Sequence, residues 1–207
     1  DSFDMSVAFV SAEAVKSLFE DFKSSAERNG DAPQRSHLIT STKNHFNTPA
    51  AFWDLLRLKH VTGVDVRIWN GGTNRATQPG AQGQPFHPKG YVFARHLEDG
   101  SPYYNLYVGS SNLTQTALST QREWNLKVSS LEGGDLVDQI QAEMESQLAD
   151  SEPLTEAWIT QYEEDFQRYE QELRHQTPSR SAILKERERQ QIEPNAMQRE
   201  ALSSLEQ

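Results

Sequence analysis

The sequence has no cysteine. That excludes disulfides, thiolate nucleophiles and cysteine-ligated zinc, and it fits a cytoplasmic protein. No run approaches the roughly 20 consecutive apolar residues that a membrane helix needs, so no membrane partner is expected. No secretory signal is visible and no initiator Met precedes Asp1, so the chain reads as part of something longer. The Asp…Glu-x-Lys pattern of metal-dependent restriction nucleases is missing. His37, His45, His60, His96 and His175 have no metal-type spacing and are expected to be structural or at the surface. No metal and no cofactor is therefore expected. Internal repeats and low-complexity tracts are also lacking.

Positive charge is scarce overall, with 20 Lys and Arg against 30 Asp and Glu for a net charge of −10. The deficit is uneven. Residues 31–130 carry 10 basic against 6 acidic side chains and five of the six histidines, whereas residues 131–207 carry 7 against 18. The acidic bulk thus hides a mildly basic middle, which is where an anionic partner would bind. A length of 207 residues suits one sizeable domain with an appendage.

Element signals alternate along the first third. Met5–Val10 is a short apolar run, and Ser11 is placed to cap a helix whose apolar positions are Ala14, Val15, Leu18, Phe19 and Phe22. Asn29-Gly30-Asp31 with Pro33 marks a loop, and His37–Thr40 a short strand. Thr48-Pro49 opens a helix through Leu56, Gly63 closes that unit, and Val64, Val66 and Ile68 alternate as in a strand. The order β-α-β-α-β favours an α/β layered fold. Residues 70–84 form a Gly-, Asn- and Gln-rich loop. Two strands, Phe86–Ala94 and Tyr103–Val108, flank a turn at Glu98-Asp99-Gly100, followed by a short helix at Leu113–Leu118 and a strand at Glu123–Val128. An amphipathic helix carries Leu136, Val137, Ile140, Met144 and Leu148 and is broken by Pro153. Ile159, Tyr162, Phe166, Tyr169 and Leu173 then make an apolar seam on an acidic helix, read first as docking on its own domain and second as packing on a partner subunit. Trp53, Trp69, Trp124 and Trp158 are expected to be core or half-buried.

Chemistry concentrates in three segments. His87 and Lys89, two apart at the start of a strand, point to one face. Ser110 and Asn112 are also two apart, where a strand gives way to a helix, and Gly109 before them permits close backbone approach. Glu123 opens the next strand. An imidazole, an ammonium, a hydroxyl, a carboxamide and a carboxylate can so reach one end of a sheet. Such groups suit attack on a phosphodiester: lysine and asparagine hold non-bridging oxygens, and histidine acts as nucleophile or proton donor near neutral pH. Lys43 and Arg75, in or near loops, are candidates for contact with a nucleic-acid backbone.

His87-Pro88-Lys89 and Gly109-Ser110-Ser111-Asn112 resemble the two parts of the signature of the phospholipase D-like superfamily, and Glu123 stands thirteen residues beyond Ser110, as the completing glutamate does in that family's small bacterial nucleases. Ala94 occupies the position of the family's largely structural aspartate. The wider context through Glu123-Trp124-Asn125 is similar to single-motif members fused to bacterial helicases. Residues 192–202 resemble the entry segment of superfamily 2 helicases, with no Gly-x-x-x-x-Gly-Lys loop after them, so this chain is not expected to bind ATP.

The resemblance implies an α/β fold with a mixed central sheet flanked by helices on both faces and a helical C-terminal extension. It divides the chain into a nuclease domain at 1–150 and a helical extension and linker at 151–207, leading towards a helicase core in a parent helicase or restriction-type protein. The implied activity is metal-independent phosphodiester hydrolysis, with DNA as the expected partner. His87 would be nucleophile, Lys89 and Asn112 would bind phosphate oxygens, Ser110 would add a hydrogen bond and Glu123 would orient His87. A second histidine must protonate the leaving oxygen. Since the chain holds one H-x-K motif, a homodimer with a composite active site is expected. The alternatives are a catalytically weak DNA-binding or dimerisation module, and a lipid phosphodiesterase, whose members usually carry two such motifs.

Overall fold

The computed structural model describes residues 2–28, 36–70 and 86–175. Its elements are β1 (Ser2–Val7), α1 (Ala12–Arg28), β2 (His37–Thr40), a 3-10 turn (Lys43–His45), α2 (Pro49–Thr62), β3 (Asp65–Trp69), β4 (Lys89–His96), β5 (Pro102–Gly109), α3 (Gln115–Ser119), β6 (Asn125–Leu131), α4 (Asp135–Ala149), β7 (Ser151–Pro153) and α5 (Glu156–His175). The strands form one seven-stranded sheet in the order β6-β5-β4-β1-β2-β3-β7. β1, β2 and β3 run parallel; β4, β5 and β6 add antiparallel on one side and β7 on the other. The α/β class with a mixed sheet is the one the sequence led us to expect.

Local chemistry explains the first half. Ser11 Oγ accepts from the Ala14 amide at 3.2 Å and starts α1. Thr48 Oγ1 accepts from Ala51 N, Pro49 takes the first turn, and Gly63 at φ 74° ends α2 in the left-handed region. α2 therefore runs a turn and a half past Leu56, as far as its glycine stop. Alternation then sorts side chains onto two faces. Phe3, Met5, Val7, Leu38, Val66 and Ile68 face α1, α2 and the first part of α5, in a core that includes Val15, Phe52, Leu55, Ile159 and Tyr162. Ile39 faces α4, against Met144, Ile140 and Leu148. Further along, Val137 of α4 covers Val92 and Leu106 of β4 and β5. Each fully buried side chain of this kind contributes ~1.5–3 kcal/mol.

The first compact unit ends at Gln167 and so includes β7 and most of α5, beyond the expected domain end at 150. Pro153 does not merely break a helix: it sits in β7, paired to Arg67 at the sheet edge, where a missing N–H is tolerated. Of the acidic helix's seam, Ile159, Tyr162 and Phe166 pack into this unit's core. The second unit comprises Arg168–Gln207, of which the described part is the end of α5. Arg75, the linker at 177–180 and the helicase-like segment at 192–202 lie outside the described residues. No described helix is long and apolar enough to cross a membrane.

Candidate active site

The sheet's pairing register builds the site. Val7 at the end of β1 lies opposite Lys89 at the start of β4, Gly90 lies opposite Val108, and Gly109 at the end of β5 lies opposite Asn125 at the start of β6. One end of three adjacent strand pairs therefore carries His87-Pro88-Lys89, Ser110 to Asn112 and Glu123. Beyond β1 the chain keeps to the same end: the Ala8 amide donates to Pro88 O at 3.0 Å, and Leu113 N donates to Phe9 O at 3.1 Å. Gly109 is required by crowding. A Cβ there would lie 2.1 Å from Trp124 O and 2.3 Å from Asn125 Oδ1.

The candidate side chains form two bonded pairs. The Lys89 ammonium lies 3.0 Å from His87 Nδ1 and 3.3 Å from Nε2. The Ser110 hydroxyl donates a short hydrogen bond to Glu123 and accepts from Trp124 N at 3.0 Å. Among the described residues Glu123 makes no hydrogen bond to His87; its carboxylate accepts from the Ser110 hydroxyl. Asn112 has a buried Oδ1 with no hydrogen-bond partner among the described residues. An acceptor left in that state costs ~1–3 kcal/mol, which is a reason to look for a partner that arrives from outside. Tyr91 donates to Ser111 O at 2.9 Å, and Asn125 Nδ2 to Ser111 Oγ at 2.7 Å, so the turn before Asn112 is tied to two strands. Burial, and after it the charge of Glu123, push the Tyr91 phenol far up, so it stays a donor.

Lys43 joins this group through the β2–α2 connection, a role its position in a loop only hinted at in the sequence. Partial desolvation, then the charges of Lys89 and Lys43, hold the His87 imidazole below its ordinary pKa of 6.5. Desolvation likewise lowers the Lys89 ammonium; Glu123 opposes the shift and Lys43 adds to it. The turn bearing Lys43 is held stiffly. Asn44 and His45 both have left-handed backbone, at φ 53° and 51°, an uncommon conformation for successive non-glycine residues. Asn47 anchors it: Oδ1 accepts from Val10 N at 2.7 Å, while Nδ2 donates to Ser41 O at 2.7 Å and Thr40 Oγ1 at 3.0 Å. Tyr162 of α5 donates to Asn47 O at 2.8 Å. Sequence reasoning missed Asn47, which carries no local motif, and read Tyr162 only as part of the apolar seam.

One expectation needs correction. Trp124 is neither core nor half-buried: it is 89% exposed, because β6 is an edge strand and α4 crosses the sheet away from its start. Ala94 lies in mid-strand opposite Ser2 and Tyr104, and Asp99 accepts from Ser101 N in the hairpin turn at the other end of β4. Among the described residues, no three His, Asp or Glu side chains are grouped so as to hold a metal ion.

A mixed sheet with helices on both faces and a polar cluster at one end of its central strands defines an α/β layer protein. In that fold the chain is similar to NucT from Helicobacter pylori, with a TM-score of 0.51 over 73% of this chain and 81% of that chain, at 14% sequence identity. No family model matches the sequence, and no curated protein matches it.

Proposed function

We propose that the chain is a phosphodiesterase of the phospholipase D-like type, a nuclease that cuts DNA through a phosphohistidine. The observation that carries this reading is the meeting, at one sheet end, of the His87–Lys89 pair, the Ser110–Glu123 pair and Asn112. Likeness of fold to a protein named NucT adds to it. Lys89 and Lys43 set positive charge where the non-bridging oxygens of a phosphate would sit, and Asn112 Nδ2 is the end of its amide that can donate to one of them. Partial burial and the charges of Lys89 and Lys43, which lower the His87 pKa, favour the neutral ring that the attacking copy needs.

The step then runs in two displacements. A ring nitrogen of His87 attacks phosphorus, a P–N bond forms and the P–O bond to the leaving sugar oxygen breaks. That oxygen takes a proton from the imidazolium of a second His87. Water next attacks phosphorus, gives its proton to the now neutral second imidazole, and the P–N bond breaks. Ser110 and Glu123 position the turn and offset the charge of Lys89. No metal is needed in this scheme, since ammonium and amide groups do the work of holding charge.

One H-x-K motif per chain makes the second His87 that of another copy, in a two-fold homodimer with one composite site. The proposal sets the chain at the N-terminal side of a helicase or restriction-type protein in the cytoplasm, with 1–150 as the nuclease part; the similarity of the surrounding motif to helicase-fused members supports it. The test is cleavage of plasmid and single-stranded DNA by wild type, by His87→Ala and by equilibrated equal mixtures. His87→Ala should be inactive, and the mixture should retain about a quarter of wild-type activity, the share of all-wild-type pairs. Undiminished cleavage by His87→Ala overturns the reading; half activity in fully exchanged mixtures overturns the composite site.

A further inference from the structure

Trp124 combines a fixed backbone with a free side chain. Its amide donates to Ser110 Oγ at 3.0 Å, its carbonyl accepts from Ser110 N at 2.9 Å, and that carbonyl is what leaves no room for a Cβ at Gly109. The residue is therefore locked to the hydroxyl that holds Glu123. The indole, however, stands in solvent, 89% exposed. Tryptophan is a large apolar surface that normally gains by being covered. Leaving it bare one residue from the charged cluster calls for a ligand that has both negative charge and a flat apolar face.

The opposite rim repeats the pattern. Phe9 meets the His87 ring edge-on, with centroids 5.4 Å apart, and Phe46 lies 4.3 Å from Phe9 while remaining 54% exposed. Phe46 directly follows the stiff turn that bears Lys43. Aromatic surface thus lies beside the cluster at Phe9 and Phe46 on the β1 and β2 side and at Trp124 on the β6 side, while Lys43 and Lys89 supply positive charge. A strand with unpaired bases offers the complementary pattern: phosphates for the cations and base faces for the rings. In a duplex those faces are already stacked on one another.

We infer that Trp124 is a base-stacking residue, whose indole takes the face of an unpaired base in a nucleic-acid strand bound at the site. This rests on the phosphodiesterase reading but goes past it, since a phosphate site by itself has no preference for unpaired bases. Trp124 shares its side of the sheet with Leu126 and Val108, a cross-strand pair that is also exposed. Coverage of this patch by a second copy of the chain is the rival that the test must separate.

The experiment uses the full 207-residue chain as His87→Ala, so that binding is read without cleavage. Oligo(dT) and an abasic deoxyribose-phosphate strand of equal length and charge, each end-labelled, are titrated, with anisotropy of the label as the affinity readout and tryptophan fluorescence as the stacking readout. The same titrations are run on His87→Ala carrying Trp124→Ala or Trp124→Phe, and each protein is sedimented. Oligo(dT) should quench fluorescence and bind about tenfold tighter than the abasic strand. Trp124→Ala should erase that difference and most of the quenching, Trp124→Phe should keep much of the difference, and subunit association should be the same in all three. Equal binding of the two strands when Trp124 is present overturns the stacking role and leaves the phosphate site standing. A preference that survives Trp124→Ala also overturns it, as does a change in subunit association, which would make Trp124 a subunit contact. No binding of either strand overturns both this inference and the phosphodiesterase reading.

Discussion

The two halves of the sheet are built to different standards. In β1, β2 and β3 nearly every alternate side chain is buried, with α1 and α2 on one face and α4 on the other. In β4, β5 and β6 the buried apolar side chains are Val92 and Leu106, and no residue of β6 is fully buried. The difference has a cause in the connections. Parallel strands need crossover helices, which cover the sheet as they return, whereas the antiparallel strands are joined by the hairpin at Asp99-Gly100 and by the short α3. The covered half is closely packed, and the open half leaves side chains exposed to solvent. The candidate site lies on the seam, at the Val7 and Lys89 register, where close packing and access meet.

The largest expected effect tests that contrast in stability. Leu38→Ala, at a fully buried position of β2, should cost ~3–5 kcal/mol in urea unfolding, while Leu126→Ala, 67% exposed on β6, should change it by no more than ~0.5 kcal/mol. Similar losses at both positions would mean that the open half is covered in solution.

Binding should reflect the seam. With Lys43 and Lys89 among about three phosphate contacts, affinity of His87→Ala protein for a single strand should fall roughly tenfold to twentyfold between 50 and 200 mM salt, despite the acidic chain as a whole. A filter-binding series reads this directly; a flat response would remove the basic middle as the binding surface.

A smaller effect concerns pH. Because Lys43 helps to hold the His87 pKa below 6.5, the acid limb of cleavage, where the attacking imidazole becomes protonated, should lie below that pH. Lys43→Ala removes one of the depressing charges, so the limb should move towards higher pH. A pH profile of kcat/KM that stays in place would show that Lys43 does not act on the imidazole. The smallest effect is none at all: EDTA should leave cleavage unchanged, and loss restored by Mg²⁺ would point to different chemistry.

Legibility in the sequence followed the same division. Repeating signals were plain in the covered half: Val64, Val66 and Ile68 alternate, and Thr48-Pro49 with Gly63 bracket a helix. The candidate cluster was legible because its residues stand at fixed spacing on strand ends, His87 with Lys89 and Ser110 with Glu123. What escaped depends on contacts distant in sequence. β7 has three residues, too few for alternation to show, and is defined by its pairing to β3. Lys43 reaches the site through Asn47 and Tyr162, the latter 115 residues beyond its partner. Trp124 looked like core because tryptophan usually is, and only the uncovered edge of the sheet reverses that.

The central claim is that His87 forms a covalent bond to phosphorus. It is tested most directly by quenching a reaction between the full chain and a short oligonucleotide in alkaline denaturant, where a P–N bond survives, and weighing the peptides after digestion. The account predicts a nucleotide adduct on the peptide containing His87, absent when the same reaction is run with His87→Ala. Rapid cleavage with no adduct at any time of quenching, or the same adduct in His87→Ala, would contradict it.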